Sequence, residues 1–168
     1  MSRLRRVPAL ASVLTMVLAP LISLSAQPAD HLSGTWKLNL AKSKYSPATL
    51  APKSGTTKFE VTPDGIKAVI DGVDAEDKAT HAEYTAKADG KDHPWKGTIA
   101  GSPNANQDAV SWKKIDDFTY ETVNKLKGQV LTTSRIVIAP DGKSRTNTVT
   151  GKNAQGQTIN NTVVYEKQ

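Results

Sequence analysis

Turn signals recur along this chain at hairpin spacing, and that recurrence restricts the fold more than any other feature. Pro63-Asp64-Gly65, Ala88-Asp89-Gly90, Asp116-Asp117, Lys127-Gly128, Pro140-Asp141-Gly142 and Asn153-Ala154-Gln155-Gly156 punctuate everything beyond about residue 34. Gly, Asn and Asp tolerate the positive φ that tight hairpin turns require. Between the turns lie runs rich in Thr, Val, Ile and Tyr, which suit a pleated surface. The spacing predicts strands over about 34–40, 56–62, 65–71, 81–88, 95–99, 109–115, 118–126, 129–138, 144–151 and 158–167. Within them apolar residues alternate with polar ones. Trp36, Leu38 and Leu40 share a face, as do Phe59 and Val61, and Ile66, Ala68 and Ile70. Val130, Thr132, Ser134, Ile136 and Ile138 share another, and so do Ile159, Asn161, Val163 and Tyr165. One buried face and one wet face mark an antiparallel sheet, and closing such a sheet removes its open edges. The expected fold class is all-β: a single antiparallel up-and-down β-barrel of about eight to ten strands. Residues 41–54, with Pro47 and Pro52, and residues 101–108 read as loops.

Gly34-Thr35-Trp36-Lys37-Leu38, on the first strand, is similar to the opening of lipocalins and of the intracellular fatty-acid-binding proteins. Val163-Val164-Tyr165-Glu166-Lys167 resembles the last strand of the fatty-acid-binding branch. From about residue 33 to 168 the chain resembles a lipocalin-like family of exported bacterial proteins within the calycin superfamily. The resemblance implies a container for a small molecule, with Trp36 as a plug at the closed end. Fatty-acid-binding proteins carry Arg-x-Tyr on the last strand, where the pair holds the ligand carboxylate. Val163 and Tyr165 occupy those positions here. With the cation missing, a neutral apolar ligand is expected in preference to a fatty-acid anion, because a buried carboxylate needs a partner. Arg135 is the candidate substitute cation, although it alternates with Ser134 and Ile136 and so shares a face with Thr133 and Val137.

Residues 1–26 have the three parts of a secretory signal. Arg3, Arg5 and Arg6 form a positive start, Leu10 to Leu24 is apolar, and Leu24-Ser25-Ala26 offers a cleavage site. The expected organisation is a signal peptide over 1–26 and a barrel domain over 27–168, periplasmic or secreted, with no membrane insertion after cleavage. The formal charge of +6 then overstates the basicity: Lys+Arg falls from 22 to 19 against 16 acids. The lysines are scattered between acids and not interleaved with aromatics, so nucleic acid is not an expected partner. With no cysteine, the domain relies on its core rather than on disulfides. A monomer is expected.

No chemistry-bearing constellation stands out. His31, His81 and His93 lack metal-ligand spacing, and no cofactor is expected. Asp71, Asp74, Glu76 and Asp77 lack the spacing of a calcium loop and read as a solvated hairpin tip. No nucleophile elbow and no phosphate loop is present. Trp36, Trp95, Trp112, Tyr84, Tyr120 and Tyr165 can line a pocket or simply fill the barrel. Small inward residues, Ala68, Ala82 and Ala86, favour leaving space. The expected function is non-catalytic binding of a small, mostly apolar molecule. Tyr84, Tyr120, Arg135 and Tyr165 are the candidate contacts. The alternatives are a filled barrel serving as an envelope or secreted interaction protein, and an enzyme whose carboxylates meet across strands.

Overall fold

The computed structural model describes residues 30–99, 107–152 and 156–168. The segment expected as a signal peptide, most of the 101–108 loop and residues 153–155 of the last turn lie outside the described residues. The rest forms eleven strands and a single 3-10 turn at Ala48–Leu50. They are β1 (Gly34–Lys44), β2 (Ser54–Thr62), β3 (Gly65–Val73), β4 (Ala79–Ala86), β5 (Asp89–Pro94), β6 (Lys96–Gly97), β7 (Ala109–Lys114), β8 (Thr119–Leu126), β9 (Gln129–Ile138), β10 (Ser144–Lys152) and β11 (Thr158–Lys167). Every pairing is antiparallel, in the order β5-β7-β8-β9-β10-β11-β1-β2-β3-β4-β6. The first and last strands lie side by side, with Leu38 opposite Tyr165 and Trp36 opposite Lys167. This is the expected all-β, antiparallel up-and-down barrel, nearly closed.

Closure depends on one strand path that changes partners. β5 pairs with β7, whereas β6 pairs with β4 through Ala82↔Gly97 and Glu83↔Lys96. The switch falls at Trp95, whose backbone N–H donates to Asp108 O at 2.9 Å. Thr98 N–H then donates to His81 O at 2.9 Å. The chain crosses so close to β4 that Gly97, at φ +88°, could not carry a side chain: a Cβ there would lie 2.1 Å from His81 O. Residues 89–94, expected to begin as a turn, are therefore strand. Of the strand expected over 95–99, only Lys96–Gly97 forms, and it pairs with β4.

A plug seals one end of the barrel. Leu32 and Trp36 are fully buried, and the Trp36 indole N–H donates to Leu32 O at 2.8 Å. Asp30 Oδ1 accepts the backbone N–H groups of Leu32 and Ser33, turning the segment under the barrel. His31 stacks on Phe118 with ring centroids 4.3 Å apart, and Lys167 Nζ reaches His31 O. Above the plug Phe59, Trp112 and Tyr120 pack edge to face. At the open end the alternation breaks in two places. A bulge in β1 between Asn39 and Lys44 leaves Leu40 exposed, and one in β8–β9 leaves Val130 exposed. β1 also runs four residues past its expected end. Ser43 Oγ donates to Asn39 O and accepts from Val164 N–H, so a side chain holds the bulged ladder together. The acidic residues after β3 serve the loop: Asp74 Oδ1 accepts from Glu76 and Lys78 N–H, and Asp77 pairs with Lys53.

Candidate functional site: the barrel cavity

The interior above the plug holds a cavity of about 140 Å³. Its two walls differ. β8 to β11 turn Thr122, Thr132, Ser134, Asn147 and Asn161 inward, while Leu38, Ile70 and Ile99 present apolar surface. At the mouth Tyr45 and Pro52, from the loop after β1, line the same space. The backbone N–H of Ser46 donates to Asn161 Oδ1 at 2.8 Å, so a cavity-wall side chain holds the loop. Burial raises the pKa of the Tyr45 hydroxyl, and Tyr165 nearby adds to the effect.

Arg145 dominates the deep end. It stands second in β10, directly opposite Ile138 of β9 and Tyr165 of β11. Only 2% of it is exposed. Its guanidinium carbon lies 3.9 Å from the centroid of the Tyr165 ring, 5.1 Å from Phe59 and 5.5 Å from Trp36. Nη1 donates to Asn147 Oδ1 at 3.1 Å, while Nε is buried without a hydrogen-bond partner. Among the described residues no carboxylate forms an ion pair with it. Loss of water pushes its pKa down to about 10, with Tyr165 and Tyr84 acting the other way. The side chain stays cationic at neutral pH. Ser134 Oγ, on another cavity-lining residue, is also buried without a partner, while the Trp112 indole N–H is set against the Tyr84 hydroxyl. Asp71, the other charged residue of the lining, is exposed and bonded to His81 Nδ1 at 2.7 Å.

The structure separates the four sequence-predicted contacts. Tyr84 and Tyr165 line the cavity, Tyr84 stacking on Trp95 with centroids 4.7 Å apart. Tyr120 does not: it packs against Trp112 in the core beneath and is absent from the lining. Arg135 points out of the barrel, because the inward face of β9 belongs to Thr132, Ser134, Ile136 and Ile138. Its guanidinium pairs with Glu121 at 2.8 Å across the outer surface. Trp36 lies in the plug below the cavity. Val163 is buried and lines the cavity where an arginine was sought. The expected cation-free interior is corrected by Arg145, one strand away.

Sequence reasoning passed over Arg145 because its strand, Ser144–Lys152, is polar on both faces and shows no hydrophobic contrast. A signal was nevertheless present. Ile138 reads as inward, and the Pro140-Asp141-Gly142 turn sets the hairpin register. Residues directly opposite on antiparallel strands point the same way, so Arg145 follows Ile138 inside.

Among the described residues no group of three or more His, Cys, Asp or Glu side chains could hold a metal ion. No protein-family model matches this chain, and no curated protein matches it by sequence. Among solved structures, the zebrafish ileal bile acid-binding protein complexed with cholic acid is similar over 82% of this chain and 99% of its own, with a TM-score of 0.48 and 10% identity.

Proposed function

We propose that this chain is an exported, non-catalytic binding protein that holds one small molecule inside its barrel. The observation that carries the reading is the internal cavity, walled by polar side chains on one side and apolar ones on the other. A barrel filled only by its own side chains leaves no such space. Here about 140 Å³ of free space lies between the polar side chains of Thr122, Thr132, Asn147 and Asn161 and the apolar ones of Leu38, Ile70 and Ile99. That volume is close to what a benzene-sized ring occupies, and smaller than the several hundred cubic ångströms of drug-sized pockets. The ligand is therefore small, with an apolar body against Leu38, Ile70 and Ile99 and polar atoms towards β8–β11. Export rests on the three-part signal over residues 1–26. Native mass spectrometry of protein purified from its own host tests the reading. A stoichiometric small-molecule adduct, released on unfolding, is the expected result. An adduct-free protein that no small molecule stabilises against heat would favour the filled-barrel interaction protein.

A further inference from the structure

We propose that His93 is a proton-operated stitch in the seam between β4 and β5: neutral, its ring ties the end of β4 to β5, and protonated, it releases β4 and turns to Asp89. The switch belongs to the fold and is independent of what the cavity holds.

Two groups compete for one nitrogen. The backbone N–H of Lys87, just past the end of β4, donates to His93 Nε2 at 3.2 Å. Asp89 Oδ1 lies 3.1 Å from the same Nε2. An imidazole nitrogen either carries a proton and donates or offers a lone pair and accepts. Nε2 can therefore serve Lys87 or Asp89, but not both. With the ring neutral and its proton on Nδ1, Nε2 accepts from Lys87 N–H and faces the Asp89 carboxylate as one acceptor against another. With the ring charged, Nε2–H donates to Asp89 and the Lys87 N–H loses its acceptor. Histidine is the side chain that makes such an exchange between about pH 5 and 8.

The surroundings leave the choice to these three groups. Only 21% of the His93 side chain is exposed. On β7, the buried Val110 stands opposite His93 and Lys113 stands opposite Asp89. On β5 itself, the Lys91 amide donates to Asp89 Oδ1 at 2.9 Å, and Asp92 is paired with Lys125. On β4, Glu83 lies opposite Lys96. Among the described residues Asp89 is thus the one carboxylate in contact with the ring. The Lys91 amide, and after it the His93 ring, hold the Asp89 carboxyl below the usual carboxylate range, so it stays charged wherever a histidine titrates. What the stitch joins is weakly held otherwise. β4 and the crossing chain share Ala82↔Gly97, Glu83↔Lys96 and the bond from Thr98 N–H to His81 O. A cleft of about 460 Å³ lies beside them, lined by Lys67, Glu83, Tyr84, Thr85, Pro94 and Lys96. Tyr84 lines the barrel cavity as well, so a change at the seam reaches the cavity wall.

NMR titration of the isotope-labelled protein between about pH 8 and 5 tests this. It follows the His93 ring nitrogens, the Lys87 amide shift and the Lys87 hydrogen exchange corrected for the intrinsic effect of pH. At the high end the ring proton is expected on Nδ1. As the ring charges, the Lys87 amide shift should move with the same midpoint, and its protection should fall about tenfold, as for the loss of one hydrogen bond. Asp89→Asn should displace that midpoint to lower pH, because the charged ring loses its counter-ion. His93→Gln sets an amide oxygen near the place of Nε2 and cannot titrate, so Lys87 should stay protected throughout. A ring proton on Nε2 at the high end, or a Lys87 amide indifferent to the charging of the ring, overturns the proposal from the wild type alone. A midpoint unmoved in Asp89→Asn, or one that persists at Lys87 in His93→Gln, overturns it as well.

Discussion

Trp36 and Arg145 stand within 5.5 Å of each other and serve opposite ends of the stability scale. Trp36 is fully buried and its indole N–H is satisfied by Leu32 O. Trp36→Ala leaves a large cavity and an unpaired carbonyl, and should cost about 3–5 kcal/mol in denaturant unfolding. A loss under about 1 kcal/mol, the range of surface changes, would contradict the plug. Arg145→Met exchanges an unpaired buried charge for an apolar side chain of similar length. Such exchanges are neutral or stabilising by about 1–4 kcal/mol, with lost ring contacts acting against the gain. Unchanged or raised stability of the empty protein is expected. A marked drop would make the arginine a structural member of the core. At the rim, the hydrogen bond that the His81 ring donates to the Asp71 carboxylate raises the pKa of His81 above 6.5. This pair stabilises the fold fully below the ordinary histidine value, and the contribution disappears as pH rises through the higher folded value. Both side chains are exposed, so the effect is small and sensitive to salt. NMR titration should place His81 above the model-peptide value, and Asp71→Asn should bring it back down; no movement would mean the pair does not persist in solution.

The seam between β4 and β5 is the weak element of the barrel. Every other pair of neighbouring strands is matched through at least four residues, whereas β4 holds the crossing chain through Ala82, Glu83 and the His81 carbonyl. Beyond that, Lys87 N–H reaches His93 Nε2 and the Tyr84 ring covers Trp95. Gly97→Ala should therefore open the seam: it combines a left-handed φ with a clash against β4 backbone. Gly128→Ala is the control, since Gly128 has a similar φ of +80° and nothing within 4 Å of the added methyl. Gly128→Ala should cost about 1 kcal/mol for backbone strain alone, and Gly97→Ala clearly more. Hydrogen exchange in Gly97→Ala should quicken first in β4 and residues 95–98. Equal losses in the two variants would mean the seam contributes little. The partner switch that creates it has no local sequence signature. The turn expected at Asp89-Gly90 falls inside β5, where Gly90 keeps a positive φ of +75°, and which strand these residues join is decided by neighbours distant in sequence.

At the scale of the whole molecule, the reading of an exported container makes a direct demand on the mature chain. N-terminal sequencing of exported protein should begin at Gln27 or within a few residues, leaving a barrel of about +3 formal charge. Retention of Met1 in a membrane fraction would contradict it. Turn chemistry and period-two alternation by themselves determined the all-β class, the strand positions in most of the chain and the inward faces of β3, β9 and β11. Those properties are local: they depend on φ preferences and on which side of a pleat a residue falls. Tertiary structure alone decided three things. It set the closure at Trp95, it removed Tyr120 and Arg135 from the cavity, and it made Arg145 its buried cation. Each depends on which residues oppose one another across strands, and a strand polar on both faces carries no contrast from which to read its facing. Ile138 marked the interior in the sequence, but only the register that sets Arg145 opposite it carried a charge inside.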